Sequence, residues 1–239
     1  FNFAQIKESE GFLYINYFGL KDSYIHKLQS LTHNLIIDNV QSFFSTPIPR
    51  VNTFYSTRKF FGVPDGAYLY SNSIINDSFE IATSSDRMEH LLTRVDQSAE
   101  AGYAFYQKNE DRLKDLPVQF MSNLTRHLLT SIEYQVVADI RKRNFQYLHS
   151  RISAINKLSI QWDGNQVPMN YPLWSDIHHL RDLLLAHKVY CPVYWPGVLK
   201  HKREHSLEEN LVTDLVCIPI DQRYTIEDMN YIINLILTI

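Results

Sequence analysis

Four short apolar runs within the first 72 residues constrain the fold most. They are "FLYINYFGL" (12–20), "NLIIDN" (34–39), "RVNTFYS" (50–56) and "GAYLYSN" (66–72). Each is rich in aromatic and β-branched residues and is bounded by turn formers, which predicts strands. "DSYIHKLQSL" (22–31) lies between the first two and reads as a short helix capped by Asp22 or Ser23. Short apolar strands joined by short helices predict an α/β fold with a mostly parallel sheet, in three layers with helices covering it. In such sheets ligands sit beyond the carboxyl ends of the strands. Asn16, Asp38 and Ser56 fall at or near those ends.

After about residue 85 the period changes from strand to helix. Residues 85–113 carry helical spacing with Asp86 as a cap. Residues 122–152 read as one long helix, with Leu124, Leu128, Ile132, Val136 and Ile140 four apart. The remainder alternates: strands in "KLSIQW" (157–162), "VYCPVYW" (189–195) and "LVCIPI" (215–220), a helix over 175–188, and a last helix from Thr225, whose pairing with Asp228 forms a capping box. This predicts two domains. Residues 1–120 would be the later part of a large sheet domain, and 121–239 a linking helix and a smaller α+β domain.

The composition removes several function classes. With 23 basic and 26 acidic residues the net charge is −3, which supplies no footprint for nucleic acid or an anionic membrane. The most apolar segment, "YIINLILTI", is about half a membrane span. No basic stretch followed by an apolar one opens the chain, so no signal peptide is expected. Cys191 and Cys217 stand in no metal or redox spacing and read as buried thiols of a reducing compartment, the cytoplasm. His201 and His205 are four apart, as two metal ligands would be, but no third ligand is near. The basic run 199–205 around them reads first as a solvated loop. The 7 glycines of the chain are too few and too scattered to form a phosphate-cradling loop.

One ordered constellation carries chemistry. Asp38-x-x-Gln41 closes the second strand. Ser56-x-x-Lys59 follows the third, with Phe60 and Phe61 next and a Gly62-Val-Pro-Asp-Gly66 turn before the fourth. A strand-end aspartate is commonly a cap, and a lone Ser-x-x-Lys is commonly a solvated lysine. The ordered set is far more specific. "IIDNVQSFF" and "FYSTRKFFGVPDGAYLYSN" resemble the aspartate-aminotransferase-like fold (fold type I) of pyridoxal-phosphate enzymes, in particular the DegT-type sugar aminotransferases. "IRKRNFQYL", "VYCPVYWPGV" and "CIPIDQRYTIEDMNYIINLI" are similar to that group's small-domain helix, Tyr-x-Pro turn and closing helix, so the similarity runs along most of the chain.

The resemblance implies pyridoxal 5'-phosphate as cofactor and Lys59 as the catalytic amine that forms a Schiff base with it. Lysine is the side chain that supplies a primary amine, and apolar neighbours such as Phe60 and Phe61 would lower its pKa. The resemblance places Asp38 opposite the pyridine nitrogen, Gln41 near the ring's 3-oxygen, and Ser56 and Asn16 among the cofactor-binding residues. It implies a homodimeric aminotransferase acting on a small molecule, a keto sugar or nucleotide-linked keto sugar, with an amino-acid donor. Lyases and decarboxylases of the same fold use the same hardware and stay open as readings, as does a non-catalytic remnant. Phe54 stands where the group has a serine. "VQFMS" (118–122) keeps only Met121 and Ser122 of a run that reaches the neighbouring subunit. The first third of such an enzyme, with its phosphate-binding turn, has no counterpart in the sequence, so this chain alone is expected to hold the cofactor poorly.

Overall fold

A computed structural model describes residues 3–201 and 206–238. The His205 half of the histidine pair, and most of the basic run, lie outside the described residues. The chain divides into two compact units, one of residues 1–15 and 23–133, the other of 16–22 and 134–239.

The first unit is built on a four-stranded sheet in the order β1 (Phe12–Ile15), β2 (Leu35–Asn39), β3 (Asn52–Ser56), β4 (Ala67–Tyr70). The first three strands run parallel and β4 is antiparallel to β3. The sheet is therefore parallel-dominant with one antiparallel edge. Alternation sorts its side chains. Leu35 and Ile37 of β2 are buried together with Ile25 and Leu28 of α1 (Asp22–Leu28), which covers that face. The opposite face carries Leu13, Ile36, Asp38, Phe54, Ser56 and Leu69 in register, and these side chains are half-buried or exposed.

Three helices complete the unit: α2 (Glu89–Asp96), α3 (Ala99–Lys114) and α4 (Asn123–Thr130). The run expected over 85–113 is thus two helices after a 3₁₀ turn at Ser85–Arg87. Ser98 interrupts it by capping α3, its hydroxyl accepting from the Ala101 N–H at 3.1 Å. Asp86 is not a cap; its carboxylate pairs with Arg112. The long helix expected over 122–152 also breaks, because the Thr130 and Ser131 hydroxyls donate back to the carbonyls of His127 (2.7 Å) and Leu128 (2.8 Å) and compete with the helical ladder. The first strand is shorter than its apolar run. Phe18 takes φ 58° in a 3₁₀ turn at Tyr17–Gly19 and ends it.

The second unit packs α5 (Tyr134–Ile152), α6 (Leu180–Ala186), α7 (Leu207–Asp214) and α8 (Ile226–Leu237) around the antiparallel pair β5 (Asn170–Leu173) and β6 (Val216–Pro219). Phe145, Leu148, Tyr171, Leu184, Ile218 and Met229 are fully buried at its centre. The capping box at Thr225 and Asp228 is present at α8. Residues 157–162 and 189–195 are not strands. Pro192 interrupts the second of these runs and removes a donor that a ladder needs. The strand that pairs with β6 is β5, whose own Pro172 hides it from a β-propensity reading. Arg141 is 2 % exposed; its guanidinium donates to the Met169 carbonyl (3.0 Å) and to Gln222 Oε1 (3.2 Å), and burial lowers its pKa to about 10.

Among the described residues no helix is long and apolar enough to cross a membrane, and no three His, Cys, Asp or Glu side chains gather to hold a metal. Both cysteines are free, and burial pushes the Cys191 thiol up to about 12 and Cys217 further still.

Candidate active site on the open sheet face

The C-terminal ends of β2 and β3 bring three of the expected site residues together. Asp38 pairs in register with Phe54, and Ser56 lies two residues further along β3, so Asp38 and Ser56 share the open face. Asp38 is half-buried and accepts from the Val40 N–H at 2.9 Å. Burial raises its pKa; the Val40 hydrogen bond and the charge of Lys59 oppose that.

Lys59 sits in the loop after β3. The residue as a whole is exposed, while its amine lies among enough protein atoms for desolvation to hold its pKa below the ordinary lysine value. The Arg58 charge acts in the same direction, and Glu110 and Asp38 oppose it. Arg58 is itself ion-paired to Glu110. Phe60 and Phe61 are buried at 3 % and 7 % exposure. They pack with Phe43 and Phe44, the Phe43–Phe61 rings meeting edge-on at 4.8 Å. The aromatics beside Lys59 are therefore an anchor for its backbone.

The loop itself is closed by Thr57, which is fully buried. Its carbonyl accepts from the Phe60 and Phe61 N–H groups at 3.1 and 3.0 Å, and its N–H donates to the Gly66 carbonyl at 3.2 Å. Its hydroxyl reaches the carbonyls of Asp65 (3.0 Å) and Gly66 (2.8 Å). Gly66 takes φ +107°, and a Cβ there would lie 2.7 Å from Thr57 Oγ1, so the turn requires glycine.

Behind the loop lies a buried network that the sequence reading did not anticipate. The Asp65 carboxylate, 7 % exposed, accepts from Arg87 Nη2 (3.1 Å), the Ser122 N–H (3.2 Å), Ser122 Oγ (3.1 Å) and Thr125 Oγ1. Ser122 also caps α4, accepting from the Thr125 N–H at 3.1 Å, and Ser84 Oγ lies 2.6 Å from its hydroxyl. In the sequence, Asp65 looks like an ordinary turn residue. Nothing in the spacing ties it to positions 87, 122 and 125; the Ser122 cap was the available signal.

The other two expected residues, Gln41 and Asn16, are buried. Gln41 is 5 % exposed, in a turn rather than a helix after β2. Asn16 belongs to the second unit and is fully buried. Its amide donates to Asp22 Oδ1 (2.7 Å) and accepts from the Lys21 N–H (3.1 Å), which holds the 16–22 turn. In that unit Phe18 packs on Tyr194 and Trp195 at 5.8 and 6.1 Å, and the Tyr194 hydroxyl donates to Asn170 Oδ1. Tyr194 and Trp195 are half-buried there.

No protein-family model and no curated protein sequence matches the chain. Solved structures do. The chain is similar to the sugar aminotransferase CalS13 from Micromonospora echinospora at 13% identity, covering 99% of this chain and 69% of that one, with a TM-score of 0.59. It is similar to a DegT DnrJ EryC1 StrS aminotransferase from Brucella abortus at 15% identity, 95% and 63% coverage and a TM-score of 0.57. It is also similar to a GDP-4-keto-6-deoxymannose-3-dehydratase with a trapped PLP-glutamate geminal diamine, at 11% identity, 98% and 69% coverage and a TM-score of 0.57. The fold is therefore that of the DegT-type sugar aminotransferases, and the chain spans 63–69% of the length of these structures.

Proposed function

We propose that the chain is the lysine- and aspartate-bearing part of a pyridoxal-phosphate-dependent aminotransferase acting on a keto sugar or nucleotide-linked keto sugar, with an amino acid as donor. The observation that carries this reading is the placing of Asp38 and Ser56 on one face at the C-terminal ends of β2 and β3, with Lys59 in the loop that follows. An aspartate ends a parallel strand, and the lysine after the next strand stands in its field with its pKa held down.

The residues fit the cofactor. Lys59 presents an amine biased toward the neutral, nucleophilic form. Asp38 would hold a proton on the pyridine nitrogen; burial alone raises its pKa, and a cationic ring nitrogen beside it would reverse that shift. The Ser56 hydroxyl, on the same face, would donate to the phosphate. Gln41 would pack near the ring. The bound group supplies an electron sink for the substrate's α-carbon. Lys59, once displaced by the substrate's amine, would carry the proton to and from that carbon. Exposed Leu13 (52 %) and Leu69 (57 %) leave apolar surface on the site's own face, which supports a homodimer.

The test is a half-reaction. Protein loaded with pyridoxal phosphate should release one keto acid per site from an amino-acid donor, and Lys59→Ala should abolish this. A second reading, lyase chemistry, is favoured by the likeness to the dehydratase, which is as good as that to the Brucella enzyme. A lyase would eliminate from the sugar without stoichiometric amino transfer.

A further inference from the structure

We infer that Asp65 is a positioning residue for Lys59, fixing from behind the loop that presents the amine to the open sheet face. The inference rests on the reading of Lys59 as the cofactor-binding amine. A lysine stem has several free torsions, so a reproducible amine position requires a fixed backbone. Three links provide it. Lys59 lies within the turn whose Phe60 and Phe61 N–H groups bond to the Thr57 carbonyl. Thr57 is clamped through its N–H and hydroxyl to residues 65 and 66 at the far end of the loop. The Asp65 carboxylate then ties that far end to Arg87, to Ser122 and to Thr125 of α4.

A buried Asp–Arg pair is a poor device for stability alone, because desolvating both charges offsets most of their attraction. Four donors on one carboxylate, delivered by two separate segments, instead fix one geometry. A plain structural staple would alter stability without altering the lysine, and that difference is what the test reads.

The experiment labels amines competitively on the cofactor-free 239-residue protein across a pH series, with mass-spectrometric readout at Lys59 and with Lys157 and Lys188 as internal references. Thr125→Val removes one donor to Asp65 at constant shape; Thr125→Ser restores it. A loosened loop lets water reach the amine, so Thr125→Val should lower Lys59 labelling at neutral pH by about threefold or more relative to the references. Thr125→Ser should match the parent. Asp65→Asn should act like Thr125→Val and more strongly; if it does not fold, Thr125→Val decides. A folded Thr125→Val protein with the parent's Lys59 profile would overturn the inference. Borohydride trapping of pyridoxal phosphate on the parent separates the two claims. An adduct on Lys157 or Lys188 in place of Lys59, together with the labelling change, defeats the functional reading and leaves the positioning role standing.

Discussion

The Asp38 carboxylate and the Lys59 amine lie in each other's field, and in each residue the partner's charge opposes what burial does. Burial raises the Asp38 pKa and lowers that of Lys59. In both it outweighs the partner. Two groups pushed toward neutrality, each within reach of the other's charge, would suit a cationic ring with an amine-reactive carbonyl.

Asp38→Asn tests this coupling without any cofactor. Losing the negative charge removes one of the influences that hold the Lys59 pKa up, so the labelling midpoint of Lys59 should move down. In loaded protein the same change should cut turnover by orders of magnitude while leaving attachment at Lys59 nearly intact. An unchanged midpoint together with near-parent turnover would remove Asp38 from the site.

Gly66→Ala probes the loop. The added Cβ would meet Thr57 Oγ1 at 2.7 Å and Thr125 Cγ2 at 3.0 Å, with φ at +107°. Both neighbours belong to the clamp, so the substitution should cost about 1–3 kcal/mol in urea unfolding. Parent-like stability would mean the turn adopts another backbone conformation.

His149 should make stability pH-dependent. Its Nδ1 lies 3.3 Å from the Tyr171 hydroxyl, its ring stacks on Phe145, and desolvation holds its pKa below the ordinary histidine value. The unfolded chain therefore takes up a proton first. The contribution is fully present above pH about 6.5 and is lost as pH falls through the lower folded value. His90, shifted the same way by burial, adds to the slope. Denaturation midpoints should drop between about pH 7 and about pH 5, and less steeply in His149→Gln. A flat profile over that range would contradict the assignment.

The strands around the site were legible because each is a continuous apolar run closed by turn residues, and Asp38, Ser56 and Lys59 fall at the ends of β2 and β3. Helix existence was legible and helix boundaries were not. The four-residue apolar period runs unbroken from Leu124 to Ile140, and only the back-bonding hydroxyls of Thr130 and Ser131 divide it. β5 was illegible because Pro172 masks it. The Asp65 network was illegible because its members lie far apart in the chain and are joined only by tertiary packing. Phe60 and Phe61 had suggested a lysine of lowered pKa. They are buried themselves and anchor the loop, while desolvation lowers the Lys59 pKa as expected.

The central claim is that Lys59 is the amine that takes the cofactor. Incubation with pyridoxal phosphate, borohydride reduction and peptide mapping test it most directly. The account predicts the phosphopyridoxyl group on Lys59, and its loss in Lys59→Ala. A label on Lys157 or Lys188 in place of Lys59 would contradict it.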